Sequence, residues 1–476
     1  MITGSEMAVV DQNAAALGVS QKQLMESSGN AVARVVRDVT ATDDDVVILA
    51  GRGNNGGDAF VAARFLDAYE PKIYLVGRPE NITTEIALDN WAALEASHYD
   101  TRQLRDSANV SFGDPDVVVD AMLGTGISGS LREPTATLAE TINESTATVV
   151  SVDVPSGLNA DTGELAANAV RADHVVTFHD TKPGLADLDA TVTVADIGIP
   201  GMAETVVESG DLLRLTRDPE SHKGENGEVL VVGGGPYVGA PALTAQATLR
   251  AGADLVRVAC PTSVAHEVQG YSENLILRPM EGNELEPGHV ESVMEVAAGH
   301  DALVIGPGLG DSEDTLKAVE GLLTAFDGLA VVDADALQVV PEVETDATLV
   351  CTPHQGELVG MGGQTSDDWR ERADLVTDFA AELGHTLVVK GPTDVISDGE
   401  RTRVSQTGNP GMTVGGTGDV LAGVIGAFAA RIDAFQAAGL GTYVTGRAGD
   451  LAADRYGNGL VASDMLDLVP EAKARQ

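Results

Sequence analysis

The chain has 476 residues, 43% of them apolar and only 4% aromatic, with 73 acidic against 29 basic side chains and a net charge of −44. The length suits two or three domains with sizeable cores, and the charge excludes a general grip on nucleic acid, whose phosphates such a surface repels. The acidic residues are scattered among periodic apolar segments rather than gathered into tails, so the chain reads as folded. Seven of the 29 basic residues are lysine. An acid-rich, Lys-poor surface suits a halophilic cytoplasmic protein, because high salt screens its self-repulsion; simple acidic drift is the alternative.

Cys260 and Cys351 lie in the apolar runs RVACP and TLVCTP and read as small core residues of a reducing compartment. No run of about 18 apolar residues occurs, so no membrane span is expected. The start, MITGSEMAVV, lacks the charged and apolar regions of a signal peptide. A cytoplasmic protein is expected.

The first half alternates apolar runs with helical stretches. VVILAG (46–51), KIYLVG (72–77), DVVVDAML (116–123), ATVVSVDVP (147–155), HVVTF (174–178) and TVTVADIG (191–198) read as strands, most of them ending in Gly- or Asp-rich loops. DAFVAARFLDAYE has helical spacing between the first two. Strand, loop, helix, strand predicts an α/β fold with a doubly wound, Rossmann-like parallel sheet. The pattern breaks near 199–220, which sets the expected domains at 1–208 and 209–476. A second α/β series follows: EVLVVGGG (228–235), ADLVRVACP (253–261), DALVIGPGLG (301–310), LAVVDADAL (329–337), ATLVCTP (347–353) and HTLVVKGPTDVI (385–396), then a glycine run and an Ala-rich helix.

In AGRGNNGGDAF (50–60), Gly51, Gly53 and Gly56 match G-x-G-x-x-G after a strand and before a helix, a place where backbone N–H groups hold phosphate. The pattern alone is weak and recurs at Gly124, Gly126 and Gly129. The acidic residue of a nicotinamide-linked dehydrogenase is missing at the end of the second strand, where Arg78 stands. More telling is the company: Asn54, Asn55 and Asp58 in the first loop, Asp120 at one strand end, and Asp153 and Ser156 in VDVPSGLNADTG. Strand C-terminal ends form the ligand crevice of an open α/β sheet, and these side chains are hard oxygen donors suited to a group I or II cation. Each taken alone is equally a turn former.

Residues 1–208 resemble the N-terminal domain of the NAD(P)H-hydrate epimerases, through GRGNNGGD, DAMLGTGISG and SVDVPSGLNADTG in the family's order. Ala59 stands where that family usually has glycine. The resemblance implies racemisation at C6 of the hydrated nicotinamide ring. Asn54, Asn55, Gly56, Gly57 and Asp58, with Gly124, Thr125, Gly126, Ile127, Ser128, Gly129 and Ser130, would hold the substrate's phosphates and ribose. Asn55, Asp120 and Ser156 would ligate K⁺, and Asp153 would act beside the ring as the acid/base group, work that suits a carboxylate set among apolar strands.

In TGNPGMTVGGTGDVLAG (407–423), glycines precede an apolar helix and Asp419 falls in its first turn. Converging N–H groups there can meet developing negative charge. Local sequence leaves Asp419 equally a helix cap and a catalytic base. KGPTD (390–394) offers a cation and tight-turn amides, and GPGLG (306–310) and TPHQGE (352–357) also follow strands. His354, beside a Pro turn, reads as a ligand contact at least as readily as a structural histidine.

Residues 222–423 resemble the ribokinase-like fold and, within it, the ADP-dependent NAD(P)H-hydrate dehydratases, through HKGENGEVLVVGGGPYVGAPALTAQATLRAGADLV, GPGLG, TPHQGE, KGPTD and NPGMTVGGTGDVLAG. GGGP at 233–236 departs from a pattern in which serine often follows two glycines. The resemblance implies that Lys390, Gly391, Pro392, Thr393, Asp394 and Gly418 contact ADP, and that Ala240, Gly308, His354 and Asp419 contact the hydrated nucleotide. Asp419 would deprotonate the C6 hydroxyl as it attacks ADP, with Mg²⁺ helping to neutralise charge. The expected partners are NADHX, NADPHX and ADP, with no nucleic acid or membrane, and a homo-oligomer is the expected assembly. Two other readings are weighed: a ribokinase-type small-molecule kinase, and a non-catalytic nucleotide-binding scaffold.

Overall fold

The computed structural model describes residues 1–107, 111–126 and 129–474. The chain divides into two compact units, Met1–Ala203 and Glu204–Gln476.

The first unit holds a seven-stranded sheet of β1 (Val46–Ala50), β2 (Lys72–Val76), β3 (Thr101–Leu104), β4 (Val117–Ala121), β5 (Thr148–Val152), β6 (His174–Phe178) and β7 (Thr191–Ala195). Its order is β3-β2-β1-β4-β5-β6-β7, and every pair is parallel. Every residue of β1 and β4 is buried. Val46, Ile48 and Ala50 enter one apolar cluster and Val47 and Leu49 the other, so both faces are covered, as a parallel Val-rich strand requires. The helices Gln21–Val39, Asn54–Phe65 and Glu85–Ala96 contribute to the first cluster, and Thr135–Glu144 to the second. The strand order reverses between β1 and β4, which places the crevice of this sheet at their C-terminal ends.

The second unit holds β8 (Glu228–Val232), β9 (Leu255–Pro261), β10 (Ile276–Met280), β11 (Ala302–Ile305), β12 (Leu329–Val332), β13 (Thr348–Cys351), β14 (Thr386–Val389), β15 (Asp394–Ser397) and β16 (Thr402–Ser405). The order is β10-β9-β8-β11-β12-β13-β14-β15-β16, parallel except for the last two pairs. The helices Gly239–Ala251, Thr417–Ala429 and Ala434–Tyr456 line one continuous core built mainly from Val, Ala and Leu. Cys260, within it, and Cys351 are buried free thiols, and burial pushes them up to about 11 and about 12 respectively.

Four features differ from the sequence expectation. The edge strands β3, β10 and β16 carry too few apolar residues to stand out, because an edge pairs on one side only. HTLVVKGPTDVI is two antiparallel strands, β14 and β15, with residues 390–393 as the turn between them. The helix after β1 begins at Asn54, so NNGGD forms its first turns rather than a loop. Finally, residues 204–208, which the sequence places in the first domain, pack with the second. Val206 bridges Val404, and Arg403 donates to the Val206 carbonyl (2.6 Å) and pairs with Asp211 at 2.5 Å, covering an otherwise open sheet edge. Among the described residues no helix is long and apolar enough to cross a membrane.

Candidate active sites

In the first unit, the ends of β1, β4 and β5 meet. Gly56 allows this: a Cβ there would lie 2.1 Å from the Gly51 carbonyl oxygen, so the helix can start directly over the strand end. Asn55, thus placed, donates through Nδ2 to the Val152 carbonyl (2.8 Å) and the Leu123 carbonyl (3.1 Å). Gly124 lies against the same side chain, since a Cβ would stand 2.7 Å from Asn55 Oδ1.

Asp120 is fully buried and surrounded by neutral donors. Ser156 Oγ donates to Oδ1 (2.6 Å); Ser151 Oγ (3.0 Å) and the Ser156 N–H (2.8 Å) donate to Oδ2. Leu123 N–H in turn donates to Ser156 Oγ at 3.0 Å. Burial raises the Asp120 carboxyl above its ordinary range, against those hydrogen bonds. Asn55, Asp120 and Ser156 are therefore tied into one network through the Leu123 backbone.

Asp153 follows β5 at φ 63° and His179 follows β6 at φ 66°, left-handed conformations that collect at functional strand ends. The Asp153 carboxylate accepts from Thr177 Oγ1 (3.0 Å) and pairs with Lys182 Nζ (3.3 Å). Asp58 is buried and held well above the usual carboxylate range by desolvation and by the charges of Asp153 and Asp11. Burial and the Asp153 charge push Asp11 up to about 6, against Lys182 and His179.

The expected substrate residues are thus not equivalent. Asn54, Gly126, Gly129 and Ser130 are exposed and Thr125 is half-buried. Gly57 faces the opposite way, where a Cβ would meet the Met25 side chain and Ala87. Ile127 and Ser128 lie outside the described residues.

In the second unit, the ends of β11, β12, β13 and β14 face the start of the helix Thr417–Ala429. Asp333, after β12, is only 3% exposed; its Oδ1 accepts from Thr352 Oγ1 (2.7 Å) and Lys390 Nζ (3.1 Å). Glu357 Oε2 lies 3.8 Å from the same ammonium. A Cβ on Gly418 would sit 3.5 Å from Lys390 Nζ and 3.8 Å from Asp333 Oδ2, so that helix turn opens directly onto the pair. The helix cap is Gly416, at φ 98°, three residues before Asp419. Asp419 is pushed up to about 7 by burial and by the Asp333 charge, with Lys390 opposing.

Ala240 and Gly308 share a wall: Gly308 has φ 75°, and its Cβ would stand 3.3 Å from Ala240 Cβ and 2.4 Å from the Tyr237 carbonyl oxygen. His354 caps the helix Gln355–Gly360, its Nδ1 accepting from Glu357 N–H (3.0 Å), yet its side chain stays 60% exposed and a β-bridge joins it to Lys390. In the turn after β14, Gly391 and Pro392 are exposed, and the Asp394 carboxylate accepts the Gly391 N–H at 2.8 Å. Burial pushes Asp394 up to about 7, against that hydrogen bond and the charges of Lys390 and Arg372. Arg372, 2% exposed, donates to the carbonyls of Thr393 and Ser366 (both 2.7 Å) and anchors the turn.

Asp11, Lys182, Asp333 and Arg372 were not among the residues expected from sequence. DADAL after β12 carried the same strand-end signal as GPGLG and offered a route to Asp333. No linear signal marks Asp11 or Arg372, which reach their sites from helices.

Two α/β units, one Rossmann-like and one ribokinase-like, each with a polar site at its strand ends, define a two-domain nucleotide enzyme. Residues 21–184 match the family described as YjeF-related protein N-terminus, and residues 229–471 the family described as NAD(P)H-hydrate dehydratase. The chain is 43% identical to the bifunctional NAD(P)H-hydrate repair enzyme Nnr of Methanothermobacter thermautotrophicus, over 98% of this chain and 94% of that protein. It is 40% identical to the enzyme of the same name from Archaeoglobus fulgidus, over 100% of this chain and 98% of that one. A solved Streptococcus mutans protein described as hypothetical shares the fold, with a TM-score of 0.50 and 22% identity over 56% of this chain and 100% of its own. The chain belongs to the family of bifunctional NAD(P)H-hydrate repair enzymes, which pair an epimerase domain with a dehydratase domain. The kinase and scaffold readings are not favoured, because the full-length relatives carry the repair name over both units.

Proposed function

We propose that the first unit interconverts the R and S hydrates of NADH and NADPH, and that the second dehydrates the S form with ADP as phosphoryl donor, releasing AMP and phosphate. The observation that carries this reading is the junction of Asp419, Gly418, Lys390 and Asp333. A carboxylate with a pKa near 7, at a helix start and beside a half-buried ammonium, suits proton abstraction next to a phosphate. Asp419 takes the C6 hydroxyl proton; the oxygen forms a bond to the terminal phosphorus of ADP as the bond to AMP breaks. The phosphate then leaves C6 with the C–O bonding pair, and C5 loses a proton to solvent as the C5–H electrons restore the ring double bond. Lys390 and the N–H groups around Gly418 meet the phosphate charge, and Ala240, Gly308 and His354 position the hydrated ring. The turn 391–394, anchored by Arg372, contacts the nucleotide. Positioning and charge neutralisation supply most of the rate in such transfers.

In the first unit Asp153 acts as the acid/base group beside the ring, while Asn54, Asn55, Gly56 and Asp58, with residues 124–130, hold the rest of the nucleotide. A K⁺ ion fits Asn55, Asp120 and Ser156: the network offers hard oxygens, and the buried Asp120 carboxylate has only neutral donors for company. When bound, K⁺ would neutralise that carboxylate and fix the two loops. The expected Mg²⁺ finds no group of three or more acidic, His or Cys side chains placed to hold a metal among the described residues.

Chemically hydrated NADH incubated with the protein and ADP should regain the absorbance of the reduced nicotinamide, and the R form should be consumed as the S form is drawn off. No recovery with either ADP or ATP would overturn the reading.

The net charge of −44 leaves most carboxylates without a basic partner. Salt that screens their repulsion should therefore stabilise the fold. Calorimetry is expected to show a transition several degrees higher in molar KCl than at low ionic strength (roughly 1–3 kcal/mol). A salt-independent midpoint would return the acidic surface to simple drift.

A further inference from the structure

The buried Lys182 has no assigned part in the epimerase site, yet it is ion-paired with Asp153 there. Its residue exposure is 0%, a costly place for an ammonium unless every donor is met. Nζ donates to the carbonyls of Phe178 (2.9 Å) and Asp180 (3.1 Å) and is ion-paired with Asp153 Oδ1 at 3.3 Å. The peptide carbonyls that hold it lie at the end of β6 and in the turn after it, on either side of His179 with its left-handed φ. That turn is itself pinned to the chain start, since Ile2 N–H donates to the Thr181 carbonyl at 2.9 Å.

The helix Gly4–Ala16 carries this framework to the substrate loop. A Cβ on Gly4 would lie 3.4 Å from Thr125 Cβ, and Asp11, seven residues on, occupies the same helix face. The charged and titratable groups around Asp153 are therefore Lys182 and His179 from the turn after β6, Asp11 from the first helix and Asp58 from the helix Asn54–Phe65.

Resting on the reading of Asp153 as the acid/base group, we propose that Lys182 is a positioning residue of the epimerase: anchored on two backbone carbonyls, its ammonium fixes and charge-balances the Asp153 carboxylate against the neighbouring Asp11 and Asp58. Three carboxyl groups around one site resist a common charge. One buried ammonium offsets one of them, and its contact selects Asp153. The neighbours are pushed towards their neutral forms by burial and by that retained charge. Acid and base forms of one side-chain type can then coexist at a single site.

The test measures R/S equilibration of hydrated NADH across the neutral pH range, with dehydration and circular dichroism recorded on the same preparations. Lys182→Met is expected to lower kcat by about 100-fold with KM changed little, and to move the acidic limb of the profile about one unit higher, because removal of a nearby cation disfavours the ionised base. Lys182→Arg should recover part of the rate and return the limb towards the wild-type position. If the Met variant does not fold, Thr177→Val serves: it removes the other donor to Asp153 Oδ1 and should shift the limb in the same direction by less. An unchanged limb in the folded variants overturns the proposal. Asp153→Asn separates the two claims, since equilibration that survives it sinks the Asp153 reading, whereas its loss beside a wild-type profile for Lys182→Met sinks only the role of Lys182.

Discussion

Asp419→Asn is expected to lower dehydration by about 10³-fold, the scale of a lost general base, with ADP binding and R/S equilibration retained. Asparagine keeps the shape but cannot take the proton from the C6 hydroxyl. The wild-type rate should rise with pH and level off above about 7, the value to which burial and Asp333 push this carboxyl, because only the ionised form is a base. The same shift carries a stability cost. The folded-state value is raised above the ordinary 3.8, so the folded protein binds the extra proton between the two values. This contribution is fully present below 3.8 and is lost as pH rises through 7. The amide that replaces this carboxylate in the variant has no charge to bury; discounted for partial exposure, the gain at pH 8 is about 1–3 kcal/mol. Unfolding and turnover measured on one preparation check both. Full dehydration by the variant would remove the base assignment.

Gly51→Ala is expected to destabilise the first unit by about 3 kcal/mol or more. A Cβ would stand 1.9 Å from the Met122 carbonyl oxygen and 2.8 Å from its carbon, both backbone atoms that no rotamer change can move aside. Gly51 N–H donates to the Ala121 carbonyl (2.9 Å), so relief means parting the ends of β1 and β4. Parting them also separates Asn55 from Leu123 and disturbs the Asp120–Ser156 network. R/S equilibration should fall with stability. Dehydration, whose residues lie in the second unit, is the internal control. A variant with an unmoved first-unit transition would show that these strand ends have slack the structure does not display.

The strands near the centre of both sheets were legible in the sequence because they are covered on both faces, which demands unbroken apolar runs such as VVILA and ALVI. β3, with TRQL, has only Leu104 buried, and its identity depends on β2 being there to pair with it. Candidate site residues followed the same division. Asn55, Asp120, Ser156 and the KGPTD turn sit at strand ends, where the chain must turn and where glycine, asparagine and proline mark the place.

The environment of the candidate catalytic groups was not legible. A lysine in TKPG and an aspartate in AVVDQN look like any exposed charges in an acidic protein, and Arg372 in WRERAD resembles a solvated helix residue. Only folding reveals that Lys182 is sealed against Asp153, that Asp11 shares its field and that Arg372 clamps the turn at Thr393. The reach of each signal accounts for the difference. Periodicity, turn chemistry and composition act between residues close in sequence, so the chain alone determined two parallel α/β units and the loops that carry their sites. Desolvation and Coulomb interactions act between residues close in space. The basicity of Asp419, set by burial and by an aspartate 86 positions before it, and the pairing of Asp153 with a buried ammonium were therefore decided only in the tertiary structure.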